Sequence, residues 1–194
     1  MIGKSRLLIA AALLALAQIA FLSWIIAGRA AILRNGEEVL LKVEPVDPRD
    51  LFKGDYVRLG YEIRDVPAKL IENAPQGTFR LVEGPIFLRV AQDEDGFWRT
   101  RSAFMGAPFA APAGAGEVDL RGHMNGGWDI DQNGSVTVDF DIDRFYVPEG
   151  DGRQIETDLR VRPFGILVAV AKDGTPQIKA LMDGDRTLYE EPPY

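Results

Sequence analysis

The most suggestive run of potential metal ligands is DIDQNG, residues 129–134. Asp129, Asp131 and Asn133 stand at the first, third and fifth positions of a calcium-binding loop, and the glycine that follows suits its sharp turn. The twelfth position should carry a bidentate carboxylate but is a phenylalanine, and the flanking residues alternate as strands do. The run therefore allows a weak calcium site or an Asx-rich β-turn that needs no ion, and the turn fits the flanks better.

A second set of candidates is the run Asp139, Asp141 and Asp143, which alternates with apolar residues. In a strand this alternation places three carboxylates on one face, where they repel one another unless arginines lie across the sheet. A hydrolase that uses Asp139 and Asp141 would need these side chains to meet in a cleft. His123, the one histidine, lies in a turn-prone segment without an evident partner, so we expect it at the surface.

Several classes of chemistry are excluded by composition. The 194 residues include no cysteine, which removes disulfides, Cys-ligated metals and thiol catalysis. Neither a glycine-rich phosphate loop nor a dinucleotide-binding fingerprint occurs. We therefore nominate no catalytic residue and no cofactor, and an enzyme is not the favoured interpretation.

Residues 7–27 contain no charged side chain. About 20 predominantly apolar residues suffice to cross the hydrocarbon core of a bilayer, so this stretch predicts a transmembrane helix. Gln18 and Ser23 are its polar interruptions, and Trp24 suits the interface. We favour an uncleaved signal anchor, because the apolar region of a cleaved signal peptide is usually about 7–15 residues long. Cleavage near Gly28-Arg29-Ala30 is the alternative.

Charges around this segment predict its orientation in the cytoplasmic (inner) membrane. Two basic residues precede it and two follow it, so the positive-inside rule is nearly balanced, and the N-terminal amine favours a cytoplasmic N-terminus. We thus divide the chain into residues 1–34, the cytoplasmic tip, anchor and juxtamembrane segment, and residues 35–194, an extracytoplasmic β domain. That domain has 18 basic and 29 acidic residues, a net charge of −11, which disfavours nucleic-acid binding.

The remaining sequence consists of short apolar or alternating runs separated by turns. Strands are predicted at residues 37–43, 56–63, 86–91, 97–104, 165–171 and 177–182, and residues 117–121 and 127–130 are expected to form a hairpin with 135–142 that turns at Asn133-Gly134. Short helices are predicted at 67–73 and 151–159, and 106–116 is a Gly/Ala/Pro-rich loop. The fold class is mainly β, a small sandwich or open barrel of antiparallel strands, with one N-terminal transmembrane helix.

The sequence of residues 54–61, GDYVRLGY, resembles the GDYXXLXY membrane-anchored protein family and matches all five fixed letters of that pattern. The stretches at 46–50, 144–150 and 178–184 are also similar to sequences of that family. The residues nominated for a binding surface or structural motif are Arg49, Asp50, Gly54, Asp55, Tyr56, Leu59, Tyr61, Arg144, Tyr146, Pro148 and Glu149.

The resemblance implies a bacterial envelope protein of unassigned activity, often encoded beside a multi-pass membrane protein, and it carries over no catalytic residue. Tyr56 and Tyr61 fall on opposite strand faces, so at most one should be fully buried, and the other is a candidate contact. We therefore expect a single-pass, non-enzymatic partner or accessory subunit of a multi-pass membrane protein. A carboxylate-dependent, membrane-tethered hydrolase and a calcium-dependent envelope module are the alternatives.

A fainter similarity connects the anchor, the β domain and the GDYV sequence to membrane-anchored signal peptidases. Those enzymes use a serine nucleophile and a lysine base. Residues 47–52, DPRDLF, contain no serine, so the similarity extends at most to a related fold without the chemistry.

Overall fold

The computed structural model describes residues 4–44, 56–146 and 164–192. Within these ranges the chain forms a long N-terminal helix followed by short strands. The elements are α1 (Lys4–Asn35), β1 (Glu37–Glu44), β2 (Tyr56–Arg58), β3 (Gly60–Tyr61), β4 (Asp65–Pro67), β5 (Phe79–Arg80), β6 (Gly84–Gln92), β7 (Trp98–Met105), β8 (Glu117–Met124), β9 (Asp129–Ile130), β10 (Ser135–Asp139), β11 (Arg144–Tyr146), β12 (Gly165–Val170), β13 (Pro176–Asp183) and β14 (Arg186–Glu190).

Two five-stranded antiparallel sheets build the domain. One has the strand order β14-β13-β12-β1-β3 and the other the order β4-β10-β8-β6-β7. The pairs β2–β11 and β5–β9 complete the strand pairing of the described residues. Side chains from both large sheets, such as Leu41 and Ile166 from the first and Leu88 and Leu120 from the second, form one buried core. The architecture is the predicted mainly β fold with an N-terminal apolar helix.

The two sheets are linked where the turn between β12 and β13 meets β8. The Arg121 amide donates a 2.8 Å hydrogen bond to the Gly174 carbonyl oxygen. Gly174 has a φ of +85°, and a Cβ there would lie 3.0 Å from both the Arg121 nitrogen and the Asp119 oxygen. Only glycine satisfies both the backbone angle and the close approach.

The helix α1 lies outside this core over most of its length. Its 32 residues span about 48 Å, more than the roughly 30 Å of a bilayer core. The large apolar side chains from Leu7 to Ile26 are exposed, and none of the most apolar part of the helix is buried against the protein. Among the described residues it is the one helix long and apolar enough to cross a membrane.

The last turns of α1, in contrast, pack on the β domain. Ala30 and Leu33 are buried, and the helix contacts β12 and β13. Gly36 alone separates α1 from β1, and its amide donates a 2.8 Å hydrogen bond to Ile32. A Cβ on Gly36 would lie 2.7 Å from the Ile32 oxygen and 2.9 Å from the Val170 nitrogen. The junction is therefore short and closely packed.

The single strand predicted at residues 56–63 is wrong in extent. The chain instead forms β2, leaves the strand at Leu59, forms β3 and then makes a 3₁₀ turn at Glu62–Arg64. The reason is a change of partner, since β2 pairs with β11 and β3 pairs with β1. Leu59, Tyr61 and Ile63, at alternate positions of this segment, are buried.

Two further local predictions also need correction. The helix expected at 67–73 is only a 3₁₀ turn at Ala68–Leu70. The hairpin expected from 127–130 into 135–142 does not form, because β9 pairs with β5, while β10 ends at Asp139 and pairs with β8 and β4. The helical turns predicted at 151–159 lie outside the described residues.

The hairpins β6–β7 and β12–β13 agree with the predictions. The strand β14, which was not predicted, extends the first sheet after a turn with Gly184 at a φ of +60°. The dipeptide Asp183-Gly184 followed by the alternating RTLYE sequence was the available signal.

Candidate functional site: the GDYVRLGY segment and its contacts

Two segments that the sequence singled out separately are neighbours in the structure. The strand β2 pairs antiparallel with β11, with Tyr56 opposite Tyr146 and Arg58 opposite Arg144. Phe145, between the two paired positions of β11, is buried. The residues nominated at 56 and at 144–146 thus belong to one two-stranded unit.

Beyond β2, the segment is held by the turn that precedes β11. The Leu59 amide donates a 2.8 Å hydrogen bond to the Asp143 carbonyl oxygen. The Tyr61 hydroxyl donates a 2.6 Å hydrogen bond to the Ile142 carbonyl oxygen. Leu59 and Tyr61 are both buried, so these two positions of the pattern act as internal attachments of the chain.

The environment of Tyr61 keeps its phenol neutral. Burial raises the pKa of Tyr61 well above its usual value, and the negative charge of Asp143 raises it further. A phenol held in this state is a hydrogen-bond donor rather than a base. The position favours a structural role for Tyr61.

Several nominated residues cannot be placed. Arg49, Asp50, Gly54, Asp55, Pro148 and Glu149 lie outside the described residues, and so do the side chains of Tyr56 and Tyr146. Arg144 is exposed, with its Nε 3.6 Å from Asp143 Oδ2. Tyr61 is buried, and the prediction that at most one of the two tyrosines is fully buried, like the contact role of Tyr56, stays a prediction.

The three alternating carboxylates do not share a strand face. β10 ends at Asp139, and Asp141 has a left-handed φ of 58°. The Asp141 amide donates a 3.0 Å hydrogen bond to Asp139 Oδ1, which closes a tight turn. No arginine lies opposite Asp139 in the sheet, because the residue paired with Asp139 is His123. A turn, and not a strand, sets the positions of these acids.

The calcium-loop candidate forms a side-chain-capped turn. Asp131 Oδ1 accepts hydrogen bonds from the Asn133 amide at 2.9 Å and the Gly134 amide at 3.1 Å. Asp129 lies 3.6 Å from Arg80 on the neighbouring strand. No group of three or more His, Asp or Glu side chains that could hold a metal ion occurs among residues 4–44, 56–146 and 164–192. The geometry favours the turn interpretation.

Two arginines of β7, Arg99 and Arg101, pair with the acidic tip of the β6–β7 hairpin, and Arg101 Nη2 lies 3.3 Å from Asp93 Oδ1. Arg99 is 2.8 Å from Asp93 and 2.7 Å from Asp95, and its Nε is 2.8 Å from Glu62. Lys42 lies 3.0 Å from the other oxygen of Glu62. This network joins the hairpin to β1 and to the 3₁₀ turn after β3. This network was not predicted, although Arg99 stands on the strand directly after the acidic turn.

These contacts depress the pKa values of the acids. Hydrogen bonds from Arg99 hold the pKa values of Asp93 and Asp95 below their usual range. Burial acts to raise the pKa of Glu62, but the hydrogen bond from Arg99 and the charge of Lys42 outweigh it, so that pKa is lowered. A general acid needs the opposite shift, so this network is suited to holding structure.

A second arginine fixes the Gly/Ala/Pro-rich loop. Arg89 forms a bidentate pair with Asp119, at 2.7 and 2.8 Å, and its Nη2 also donates a 2.8 Å hydrogen bond to the Ala111 carbonyl oxygen. Its guanidinium lies 4.2 Å from the centre of the Phe109 ring. The loop is thus attached at two points near its middle. No local sequence pattern predicts these contacts of Arg89, because its partners are 20 or more residues away in the chain.

Two surface grooves flank the second sheet. One, of about 410 Å³, is lined by Arg121, His123, Asp139 and Asp141 among others. His123 is half exposed and lies 3.4 Å from Glu83, so it has the predicted surface position. The other, of about 520 Å³, adjoins the end of α1 and is lined by Asn35, Glu37, Trp98 and residues 112–119 and 170–172. We call it the juxtamembrane groove.

Comparison with known proteins gives one result. The family model described as GDYXXLXY protein matches residues 18–181, which include the end of the apolar helix and most of the β domain. Searches of curated proteins and of solved structures return no match.

Proposed function

The chain belongs to the GDYXXLXY family, and from that premise we propose that it is a single-pass, non-enzymatic accessory subunit that holds a β domain against a multi-pass membrane protein. The observation that carries the proposal is the junction at Gly36. A helix exposed along its apolar length runs directly into a domain that buries its last turns. Such a joint positions the domain next to whatever binds the helix.

Retention of the helix is supported by the same junction. Cleavage after Ala30 would separate that buried side chain from the domain, and it would leave Leu33 on a short N-terminal stub. We therefore propose an uncleaved anchor. An epitope tag placed before residue 1 should remain on the membrane-bound protein, and loss of the tag from the mature product would contradict this part of the proposal.

We further propose that the domain lies on the extracytoplasmic side of the inner membrane. Two basic residues flank the apolar segment on each side, and the N-terminal amine adds a further positive charge before it, which supports this orientation. The chain has no cysteine, so single cysteines report topology cleanly. Asp185→Cys should react with an impermeant maleimide on intact spheroplasts, whereas Ser5→Cys should react only after lysis. The reverse pattern would overturn the orientation.

Contact with the partner inside the bilayer is proposed for Gln18 and Ser23. Both are exposed polar side chains in the apolar stretch of α1. Polar groups of transmembrane helices commonly hydrogen-bond across helix interfaces, at about 1 kcal/mol each. A photoreactive residue at Gln18 should form an adduct with a multi-pass protein in native membranes. Recovery of lipid adducts alone would count against the partnership.

A further inference from the structure

We infer that the juxtamembrane groove binds a lysine- or arginine-bearing segment of the partner, where that segment leaves the bilayer beside α1. This inference rests on the proposed function and assigns the partner a place on the domain. The first step is location. The groove is lined by Asn35 and Glu37, and Asn35 lies eight residues, or about 12 Å along the helix, beyond Ala27. The headgroup layer is roughly 5–8 Å thick on each side, so the groove opens just above it.

The second step is charge. Three carboxylates line the groove, from Glu37, Glu117 and Asp119, against the single ammonium group of Lys172. Glu117 and Asp119 share Arg89, with Nε to Glu117 Oε2 at 3.9 Å. Glu37 is exposed. A cationic side chain is therefore attracted, and an anionic one is repelled.

The third step is shape. One wall is residues 112–116, PAGAG, whose small side chains leave room for the aliphatic stem of a lysine or arginine. The wall is preformed, because Arg89 holds Ala111 and Glu117 closes the end of the loop. Glu117 Oε2 accepts a 3.0 Å hydrogen bond from the Gly114 amide, and the Glu117 amide donates one of 3.1 Å to the Gly114 carbonyl oxygen. A preformed wall loses little conformational entropy on binding.

The test uses photocrosslinking of the full chain in native membranes. A benzoylphenylalanine probe replaces Ala115 in the groove wall, Gln18 in the helix or, as a control, Val82, which is exposed but does not line the groove. We expect the Ala115 and Gln18 probes to capture the same membrane protein. The peptide crosslinked to position 115 should contain lysine or arginine and lie within about ten residues of a membrane-spanning segment. The Val82 probe should not capture that protein.

Charge variants make the result specific. In the Ala115 probe background, Glu37→Lys should lower the adduct yield at least five-fold, and Lys172→Glu should raise it, while Asp185→Lys, remote from the groove, should leave it unchanged. Equal thermal unfolding midpoints of the variants exclude misfolding as the cause.

The outcomes separate the two proposals. A position-115 adduct with phospholipid alone, or a protein adduct indifferent to Glu37→Lys, would overturn the inference about the groove. If Gln18 captures a membrane protein and Ala115 does not, the groove inference fails and the accessory-subunit proposal stands. If neither probe captures a protein, both fail.

Discussion

The hydroxyl of Tyr61 donates a 2.6 Å hydrogen bond to the carbonyl oxygen of Ile142, which lies 81 residues later in the chain. This bond and the neighbouring one from Leu59 to Asp143 attach the GDYVRLGY segment to the turn before β11. Leu59 and Tyr61, two fixed letters of the family pattern that lie in the core, therefore connect parts of the chain that are distant in sequence.

We predict that Tyr61→Phe destabilises the protein by about 1–2 kcal/mol. The substitution keeps the ring but leaves the buried Ile142 carbonyl without its partner, and an unmade buried hydrogen bond costs about this amount. Urea unfolding of the full chain in detergent micelles, followed by tryptophan fluorescence, measures the change. An unaltered urea midpoint would contradict the prediction. It would mean that water replaces the phenol as the hydrogen-bond donor to the Ile142 carbonyl oxygen.

The same tyrosine should make the protein sensitive to alkali. Its pKa is raised in the folded state, so above about pH 10 the unfolded chain loses a proton that the folded chain retains. The contribution of Tyr61 to stability is fully present below pH 10 and falls by up to about 1.4 kcal/mol per pH unit above it. Unfolding curves between pH 8 and 11 should show a smaller loss for Tyr61→Phe than for the native chain.

Gly174→Ala should be more damaging than Gly96→Ala, although both glycines have a φ of +85°. At Gly96 an added Cβ meets nothing within 4 Å, so only backbone strain of about 1 kcal/mol is expected. At Gly174 the Cβ also crowds the Arg121 and Asp119 backbone at 3.0 Å, so we expect about 2–4 kcal/mol. Equal losses of unfolding free energy in the two variants, measured by urea unfolding, would contradict this prediction. They would show that the backbone contact between the sheets adjusts at little cost.

Gly36→Ala should loosen the joint between the helix and the domain, because the new Cβ would lie 2.7 Å from the Ile32 carbonyl oxygen. Gly28→Ala is the control, since a Cβ there meets nothing within 4 Å. The distribution of distances between spin labels on cysteines introduced at Arg29 and Asp185 should be broader in Gly36→Ala. It should keep its width in Gly28→Ala. A narrow distribution in both variants would argue for a junction that adapts.

Acid should weaken the network around Arg99. The pKa values of Glu62, Asp93 and Asp95 are lowered in the folded state. Their stabilisation is therefore present above the unfolded-state values near 4 and is lost as the pH falls through the folded-state values. Arg99→Gln should reduce the loss of stability between pH 5 and 3 by at least a third. A parallel pH profile in the variant would exclude Arg99 as its source.

The sequence predicted features that depend on local pattern. The 21 uncharged residues 7–27 and the predicted strands that form the hairpins β6–β7 and β12–β13 each carry their own signal within a short segment. The period-two alternation of residues 56–63 is also a local signal, and its apolar positions Leu59, Tyr61 and Ile63 are buried in the structure. The fold class and the family follow from these short-range signals.

The missed features depend on partners distant in the chain. The predicted strand at 56–63 is interrupted because β11 pairs with its first part and β1 with its second. No pattern within the segment predicts this change of partner strand. Asp139 and Asp141 separate because the Asp141 backbone adopts a left-handed conformation, which alternation of residue types does not encode. The contacts of Arg89 with Asp119 and with Ala111 likewise join residues 30 and 22 positions apart.

The pairing of β1 with β12 has a consequence for biogenesis. Glu37 lies opposite Val170, so β12, which covers most of one edge of β1, leaves the ribosome more than 130 residues after β1 begins, whereas β3 pairs with β1 only at Val43 and Glu44. At about 5–20 residues per second, that interval is roughly 7–27 s. Throughout it, the edge of β1 that β12 covers in the folded domain has no strand partner, and an open edge of this kind is a template for pairing with other chains.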